Sequence, residues 1–366
     1  MPAILVTRHL GDHAMAILDK SGIDYLLNTE DDAPSREWVL KHIADKDVRA
    51  ACIMHSQPSD RINDEFIRAA NPNFSAVSTF SVGYDHIDVK AANKRGIKVG
   101  HTPGVLSDAG KQAYDLHSPT LELTRPSLLT VADIAVILVL CTLRRINEGI
   151  NLVKSGNWKN QPWAPFVNCG LSIGHPSLTI GFLGFGRISQ AVARRLLAFT
   201  NEKEPPSIIY NSSRERDNQA EIDADFSAKF GVKTQRVEKD VLAEKSDILV
   251  VLCDLNPSTK DVVNKDFFAQ MKSTAILVNV ARGPIVNSED LHEALTTGKI
   301  YGAGLDVVTG EPNIPADHPL LQLDNCLVIP HLGSADLDTR NAMAELCVRN
   351  AIAAVKGEAL PAEVQV

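Results

Sequence analysis

From Leu178 onward the chain repeats one pattern: a short run of core-type residues, followed in most cases by a stretch of helical periodicity. The runs are LTIGFL, SIIY, DILVVLC, TAILVNV, YGAGLDV and NCLVIP. Strands that are apolar at consecutive positions are covered on both faces, and helical connections between them make parallel crossovers. The pattern therefore predicts a doubly wound parallel sheet. The first hundred residues alternate in the same way on a smaller scale, with strand candidates AILV near Ile4, YLLN near Leu26, ACIM near Ile53, FSAVSTF near Val77 and IKVGHT near Val99. With 366 residues the chain is long enough for two cores. The expected fold class is α/β with two doubly wound parallel-sheet domains. Residues 336–356 carry Ala342, Leu346, Val348, Ile352 and Val355 at helical spacing, with Gly357 as a stop, and this helix is expected to pack back on the first unit.

Charge and composition narrow the partners. The net charge is −8 with no block of like charges, which argues against nucleic acid or an anionic membrane and for a small solute. The longest apolar stretch, Ile134 to Cys141, is closed by Asp133 on one side and Arg144 on the other, well short of the ~20 residues needed to span a bilayer. The opening MPAILVTRHL reads as a strand, not a basic leader, so the expected compartment is the cytoplasm. Six dispersed cysteines without a C-x-x-C are read as reduced core residues, and no His/Cys spacing suggests a metal.

The most informative local motif is Leu178–Ser189, in which a strand, the turn Gly184-Phe185-Gly186 and a helix with Ile188, Val192, Leu196 and Phe199 on one face follow one another. Glycines let the backbone approach a pyrophosphate at a helix N-terminus, where unpaired N–H groups and the helix dipole favour an anion. Gly184, Gly186, Arg187 and Ile188 are the cofactor-binding candidates; a tight βα turn with no ligand is the plainer alternative. Ser189 stands where the third glycine of the G-x-G-x-x-G pattern is expected and adds a side chain where helix and strand pack. The next strand ends in Asn211-Ser212-Ser213-Arg214, without the acidic residue that an NAD site places there. Ser212, Ser213 and Arg214 suit a 2′-phosphate and hence NADP, with NAD possible; a solvated polar turn fits these residues equally well.

Three further candidates stand at or just beyond the ends of later strands, where open α/β sheets bind ligands: Arg282 in NVARGPIVN, Glu311 in GLDVVTGEP and His331 in IPHLGSA. Each alone has a bland reading, as a solvated arginine, a turn glutamate or a satisfied histidine. Together they suit reduction of a 2-keto acid. Arg pairs with the carboxylate, His protonates the carbonyl oxygen as hydride arrives, and Glu keeps the imidazole oriented and charged.

The segments STFSVGYDHIDV, KRGIKVGHTPGVLSD, GFLGFGRIS, NKDFFAQMK, NVARGPIVN, GLDVVTGEP, DHPLL and PHLGSA, in this order, resemble the D-isomer-specific 2-hydroxyacid dehydrogenases over nearly the whole chain. Within that family the likeness is strongest to the branch that reduces glyoxylate and hydroxypyruvate. The resemblance implies Arg282, Glu311 and His331 as the catalytic set. It also implies the Val82-Gly83 backbone as part of a substrate-carboxylate cradle and Asp306 beside the nicotinamide amide. It implies a Rossmann coenzyme domain, residues 106–330, inserted in a flavodoxin-like substrate domain, residues 1–105 with 331–366, the active site in the cleft, and a homodimer formed through the coenzyme domain. The expected reaction is NADPH-dependent reduction of glyoxylate or hydroxypyruvate. A family dehydrogenase acting on phosphoglycerate or a bulkier 2-keto acid is the nearer alternative. A nucleotide-sensing corepressor is the more distant one, and would be expected to carry appended interaction segments.

Gly110–Thr130 departs from the family pattern. Joining Ala109 to Val131 restores SDAVADIAVIL, running directly into a helix. The intervening 21 residues contain two X-Pro steps and no sustained apolar period. Gly110-Lys111 and Thr130-Val131 permit splice-donor and splice-acceptor codons, and Leu123-Thr124 permits a branch point. The segment is expected to be a retained intron. The competing expectation is a real surface loop in which Thr130 and Asp133 cap the helix that follows.

Overall fold

The computed structural model describes residues 3–29, 33–54, 58–103, 126–167, 169–175 and 177–365. The chain divides into two compact units, Met1–Ser127 with Ala335–Val366, and Leu128–Ser334.

In the first unit β1 (Ile4–Val6), β2 (Tyr25–Leu27), β3 (Ala50–Ile53), β4 (Ala76–Thr79) and β5 (Lys98–Gly100) form a parallel sheet in the order β2-β1-β3-β4-β5. This is the flavodoxin-like order. Every residue of β1, β3 and β4 is buried, because helices cover both faces and leave no solvent side for polar residues to occupy. On one face α1 (Asp12–Ser21) and α12 (Leu337–Lys356) enclose Ile4, Val6, Leu18, Cys347 and Val348. On the other, α2 (Arg36–Ile43), α3 (Asp64–Ala69) and α4 (Val89–Lys94) enclose Leu5, Ile43, Phe66 and Val77. The C-terminal helix thus packs on this unit as expected. Asp336 caps it by accepting from the Asp338 and Thr339 N–H groups, and Gly357 ends it at φ 74°.

The second unit is a seven-stranded parallel sheet in the order β12-β11-β10-β9-β6-β7-β8. Its strands are β6 (Thr179–Leu183), β7 (Ser207–Asn211), β8 (Thr234–Arg236), β9 (Ile248–Val251), β10 (Ile276–Asn279), β11 (Gly302–Leu305) and β12 (Cys326–Val328). The chain runs outward from β6 through β7 to β8, then returns to β9 on the other side of β6. The order therefore reverses between β6 and β9, and the crevice beyond their C-terminal ends is where such sheets bind ligands. One core cluster includes Leu249, Val251, Phe268, Leu277 and Leu305; the other includes Leu138, Val139, Phe182, Val192 and Val278.

Several expectations need correcting. β8, with sequence Thr-Gln-Arg, escapes the hydrophobic pattern because it is a short edge strand, covered on fewer sides than its neighbours. Phe199 lies beyond α7 (Arg187–Leu197) and is half exposed, so it does not extend the apolar face of that helix. Cys52, Cys326 and Cys347 are buried, but Cys169 is exposed. The suspected insertion lies outside the described residues as far as Arg125. From Pro126 its backbone forms the first turn of α5 (Pro126–Leu143), with proline where its missing N–H is tolerated. Thr130 is therefore inside this helix and not its cap.

Candidate active site

Arg282 is set by the turn that leaves β10. Asn279, the last residue of that strand and 1% exposed, brackets the turn: its Oδ1 accepts from the Ala281 N–H at 3.0 Å and its Nδ2 donates to the Arg282 carbonyl at 3.0 Å. Arg282 Nη1 donates to the Ala281 carbonyl at 2.8 Å, which holds the half-buried guanidinium against the same turn. Gly283 then passes over the loop that follows β11. A Cβ there would stand 2.6 Å from the Val308 carbonyl oxygen, and closer still to the Val308 carbonyl carbon and the Thr309 nitrogen. Only glycine lets these two backbones meet. Their contact brings the turn carrying Arg282 against the loop carrying Glu311.

Glu311 is tied into its own loop: its N–H donates to the Val308 carbonyl at 3.2 Å, and its Oε2 accepts from the Val308 N–H at 3.1 Å. Its other oxygen, Oε1, lies 3.0 Å from His331 Nδ1. A carboxylate at Nδ1 fixes a proton on that nitrogen and leaves Nε2 as the reactive end of the ring. About a third of each side chain is exposed, 32% for His331 and 30% for Glu311, which gives a solute access to the pair.

His331 follows β12 in the left-handed region at φ 52°, a conformation that costs a residue other than glycine about 1–3 kcal/mol. Asp306 explains how it persists. The His331 N–H donates to the Asp306 carbonyl at 2.9 Å, and the buried Asp306 carboxylate accepts from the Leu332 N–H at 2.6 Å and the Gly333 N–H at 2.9 Å. Burial pushes the Asp306 carboxyl above its ordinary value; the Leu332 N–H, nearby His331 and the Gly333 N–H oppose that rise. The geometry gives Asp306 a direct part in shaping the histidine turn. Sequence reasoning missed this, as it missed Asn279, although in both cases a polar residue at the end of a buried strand was the available signal.

The cofactor candidates gather at the topological switch. Gly184 has φ 89°, and a Cβ on it would lie 2.8 Å from the Cys253 backbone, two residues beyond β9. Gly186 begins α7 with no side-chain cap and with nothing within 4 Å of where a Cβ would be. The Arg187–Ile188 end of the helix is therefore open to an anion. Ser189, where a third glycine was expected, is fully buried and donates from Oγ to the Gly184 carbonyl at 2.7 Å. Its hydroxyl ties the turn to the helix. Phe185 between the two glycines stacks on Tyr210 with centroids 4.5 Å apart. At the end of the adjacent β7, Ser212 is half-buried, Ser213 and Arg214 are exposed, and Ser212 Oγ donates to the Arg214 carbonyl at 3.2 Å. These residues fit a phosphorylated dinucleotide: an uncapped helix end behind glycines, then hydroxyls and a guanidinium in the turn after the next strand.

Val82 and Gly83 belong to the first unit, just beyond β4. Their carbonyls are held by His101 Nδ1 at 3.0 Å and Ser81 Oγ at 2.6 Å, which fixes the backbone of this loop.

A sequence model described as the NAD binding domain of D-isomer specific 2-hydroxyacid dehydrogenases matches residues 136–333. The chain belongs to the D-isomer specific 2-hydroxyacid dehydrogenase family. It is 42% identical to the glyoxylate reductase/hydroxypyruvate reductase of Mus musculus over 307 residues, which cover 84% of this chain and 82% of that protein. It is 38% identical to the glyoxylate reductase of Thermofilum pendens over 361 residues, covering 99% and 94%. Among solved structures, the NADPH-dependent glyoxylate/hydroxypyruvate reductase of Sinorhizobium meliloti, in complex with NADP and malonate, superposes with a TM-score of 0.74. The two are 30% identical, and 99% of this chain and 96% of that one are covered.

Proposed function

We propose that this chain reduces glyoxylate or hydroxypyruvate to the corresponding 2-hydroxy acid, the D isomer for hydroxypyruvate, with NADPH as the preferred coenzyme and NADH as the lesser one. The observation that carries the reading is the Glu311–His331 contact at 3.0 Å, with the Arg282 turn packed against the glutamate's loop through Gly283. In this reading the bound nicotinamide supplies a hydride to the substrate carbonyl carbon. As the imidazolium, His331 gives the proton on Nε2 to the carbonyl oxygen and is left as the Nδ1–H form, and Glu311 keeps the ring oriented and supports its charge before the transfer. Arg282 pairs with the substrate carboxylate through its planar fork. The names of the relatives support small substrates and NADP, and the Ser212-Ser213-Arg214 end of β7 suits a 2′-phosphate.

Val82 and Gly83 are proposed as carboxylate-binding backbone, and Asp306 as a partner of the nicotinamide amide besides its part in the histidine turn. Cytoplasmic placement and a homodimer also belong to this reading. Ile146, Ile150, Val153, Trp158, Trp163 and Phe166 are exposed apolar side chains, of the type that a second copy would cover.

Initial rates with glyoxylate, hydroxypyruvate and a bulky 2-keto acid, each with NADH and NADPH, test the assignment. Highest kcat/KM is expected for the small acids with NADPH. Highest kcat/KM for the bulky acid would move the protein to another branch of the family.

A further inference from the structure

Arg236 ends the edge strand that sequence reasoning overlooked. In the parallel register it sits opposite Tyr210, one strand over from the turn Ser212-Ser213-Arg214. Its side chain is only 10% exposed, and its Nε is buried without a hydrogen-bond partner. Its Nη1 meets two carboxylates, Glu238 Oε1 at 2.8 Å and Glu215 Oε2 at 3.7 Å, whose side chains are 71% and 69% exposed. The backbone N–H of Arg236 donates to Asp223 Oδ2 at 3.0 Å, which moors the strand end to α8 (Gln219–Phe230). A buried, anchored cation is thus neutralised by two side chains that are largely in water.

Glu215 directly follows Arg214, so an anionic oxygen carried by this turn already comes within reach of Arg236. Resting on the NADP reading above, we propose that Arg236 is a second cation of the 2′-phosphate subsite, with Glu215 and Glu238 occupying it until the phosphate arrives. A 2′-phosphate near neutrality carries close to two negative charges, more than Arg214 alone balances. A guanidinium can give a phosphate two parallel N–H bonds, whereas here its Nη1 is shared between two carboxylates. The charge excess of Asp223, Glu215 and Glu238 around one arginine makes the subsite selective. An adenosine without the phosphate gains nothing from Arg236, and one with it must displace Glu238.

The test is direct calorimetric titration with 2′,5′-ADP and with 5′-AMP, probes that differ in the 2′-phosphate and carry no nicotinamide. The wild-type protein should prefer 2′,5′-ADP. Arg236→Gln should weaken 2′,5′-ADP by about tenfold or more, the worth of a charged hydrogen bond, and leave 5′-AMP unchanged. Glu238→Gln should tighten 2′,5′-ADP, because a competing carboxylate is gone. A retained preference in Arg236→Gln, or equal losses for both ligands, overturns the proposal while NADP use stands. If Arg236→Gln does not fold, Glu238→Gln decides, and no tightening there overturns it. Equal wild-type affinity for the two ligands would sink the NADP reading itself, and the proposal with it.

Discussion

Gly283→Ala puts one carbon between the two loops that carry Arg282 and Glu311. That carbon would stand 2.6 Å from the Val308 carbonyl oxygen and nearer still to two other backbone atoms. Non-bonded carbon keeps about 3.5 Å from its neighbours, so the loops must part by roughly 1 Å. Neither yields easily. The Val308–Glu311 loop is closed by two hydrogen bonds of its own, and Asn279 brackets the arginine turn from both sides. The displacement therefore goes into the spacing between the arginine and the glutamate–histidine pair. A misplacement of about 1 Å costs ~100-fold in rate, and overpacking of this kind costs about 1–3 kcal/mol in stability. The assay is kcat/KM for glyoxylate with NADPH, alongside a thermal melt and a 5′-AMP titration. Activity should fall by about 100-fold, Tm by a few degrees, and 5′-AMP affinity not at all, because the Gly184 turn is untouched. A folded Gly283→Ala protein with wild-type kcat/KM would refute the claim that this contact sets the site.

Asp306→Asn leaves one of the Leu332 and Gly333 N–H groups facing an amide donor, a loss of about 1–3 kcal/mol. The same variant changes the pH dependence of stability. Because burial raises the Asp306 pKa on folding, the folded state holds its proton to higher pH than the unfolded chain. This residue's titration therefore favours folding below the ordinary carboxylate value and loses that contribution as pH rises through the raised one. Denaturant melts across this acid window should show that slope in the wild type and not in Asp306→Asn; identical slopes would contradict it. Arg282→Lys should raise KM for the keto acid markedly, since an ammonium cannot reproduce the fork, and a normal KM would remove Arg282 from the substrate site. Deleting residues 110–130 should leave glyoxylate reduction intact or improved if the segment is a retained intron. Finding its codons in the dominant mature transcript would end that idea.

The sequence made legible what depends on burial and on motif. Ile248–Val251 and Ile276–Asn279 are buried at every position, so their apolar runs announced central strands. Gly184, Arg282, Glu311 and His331 stand beyond strand ends, where an isolated glycine or charged residue interrupts an apolar run. What stayed hidden depends on contacts distant in sequence. β8 has no apolar signature, so Arg236 had no place in the fold. Ser189 looked like a departure from a glycine pattern until its hydroxyl was seen bonded to the Gly184 carbonyl. Asp306 drew attention for a cofactor contact, whereas its bonds to Leu332 and Gly333 can be read only once β11 and β12 lie side by side.

The central claim is that His331, held by Glu311, delivers the proton in keto-acid reduction. Single-turnover reduction of glyoxylate by His331→Ala with saturating NADPH tests it most directly, because it isolates chemistry from product release. The rate should fall by about 10² to 10⁴, the usual contribution of general acid catalysis, while NADPH binding measured by fluorescence stays at the wild-type level. A wild-type single-turnover rate in His331→Ala would contradict the assignment of the proton donor.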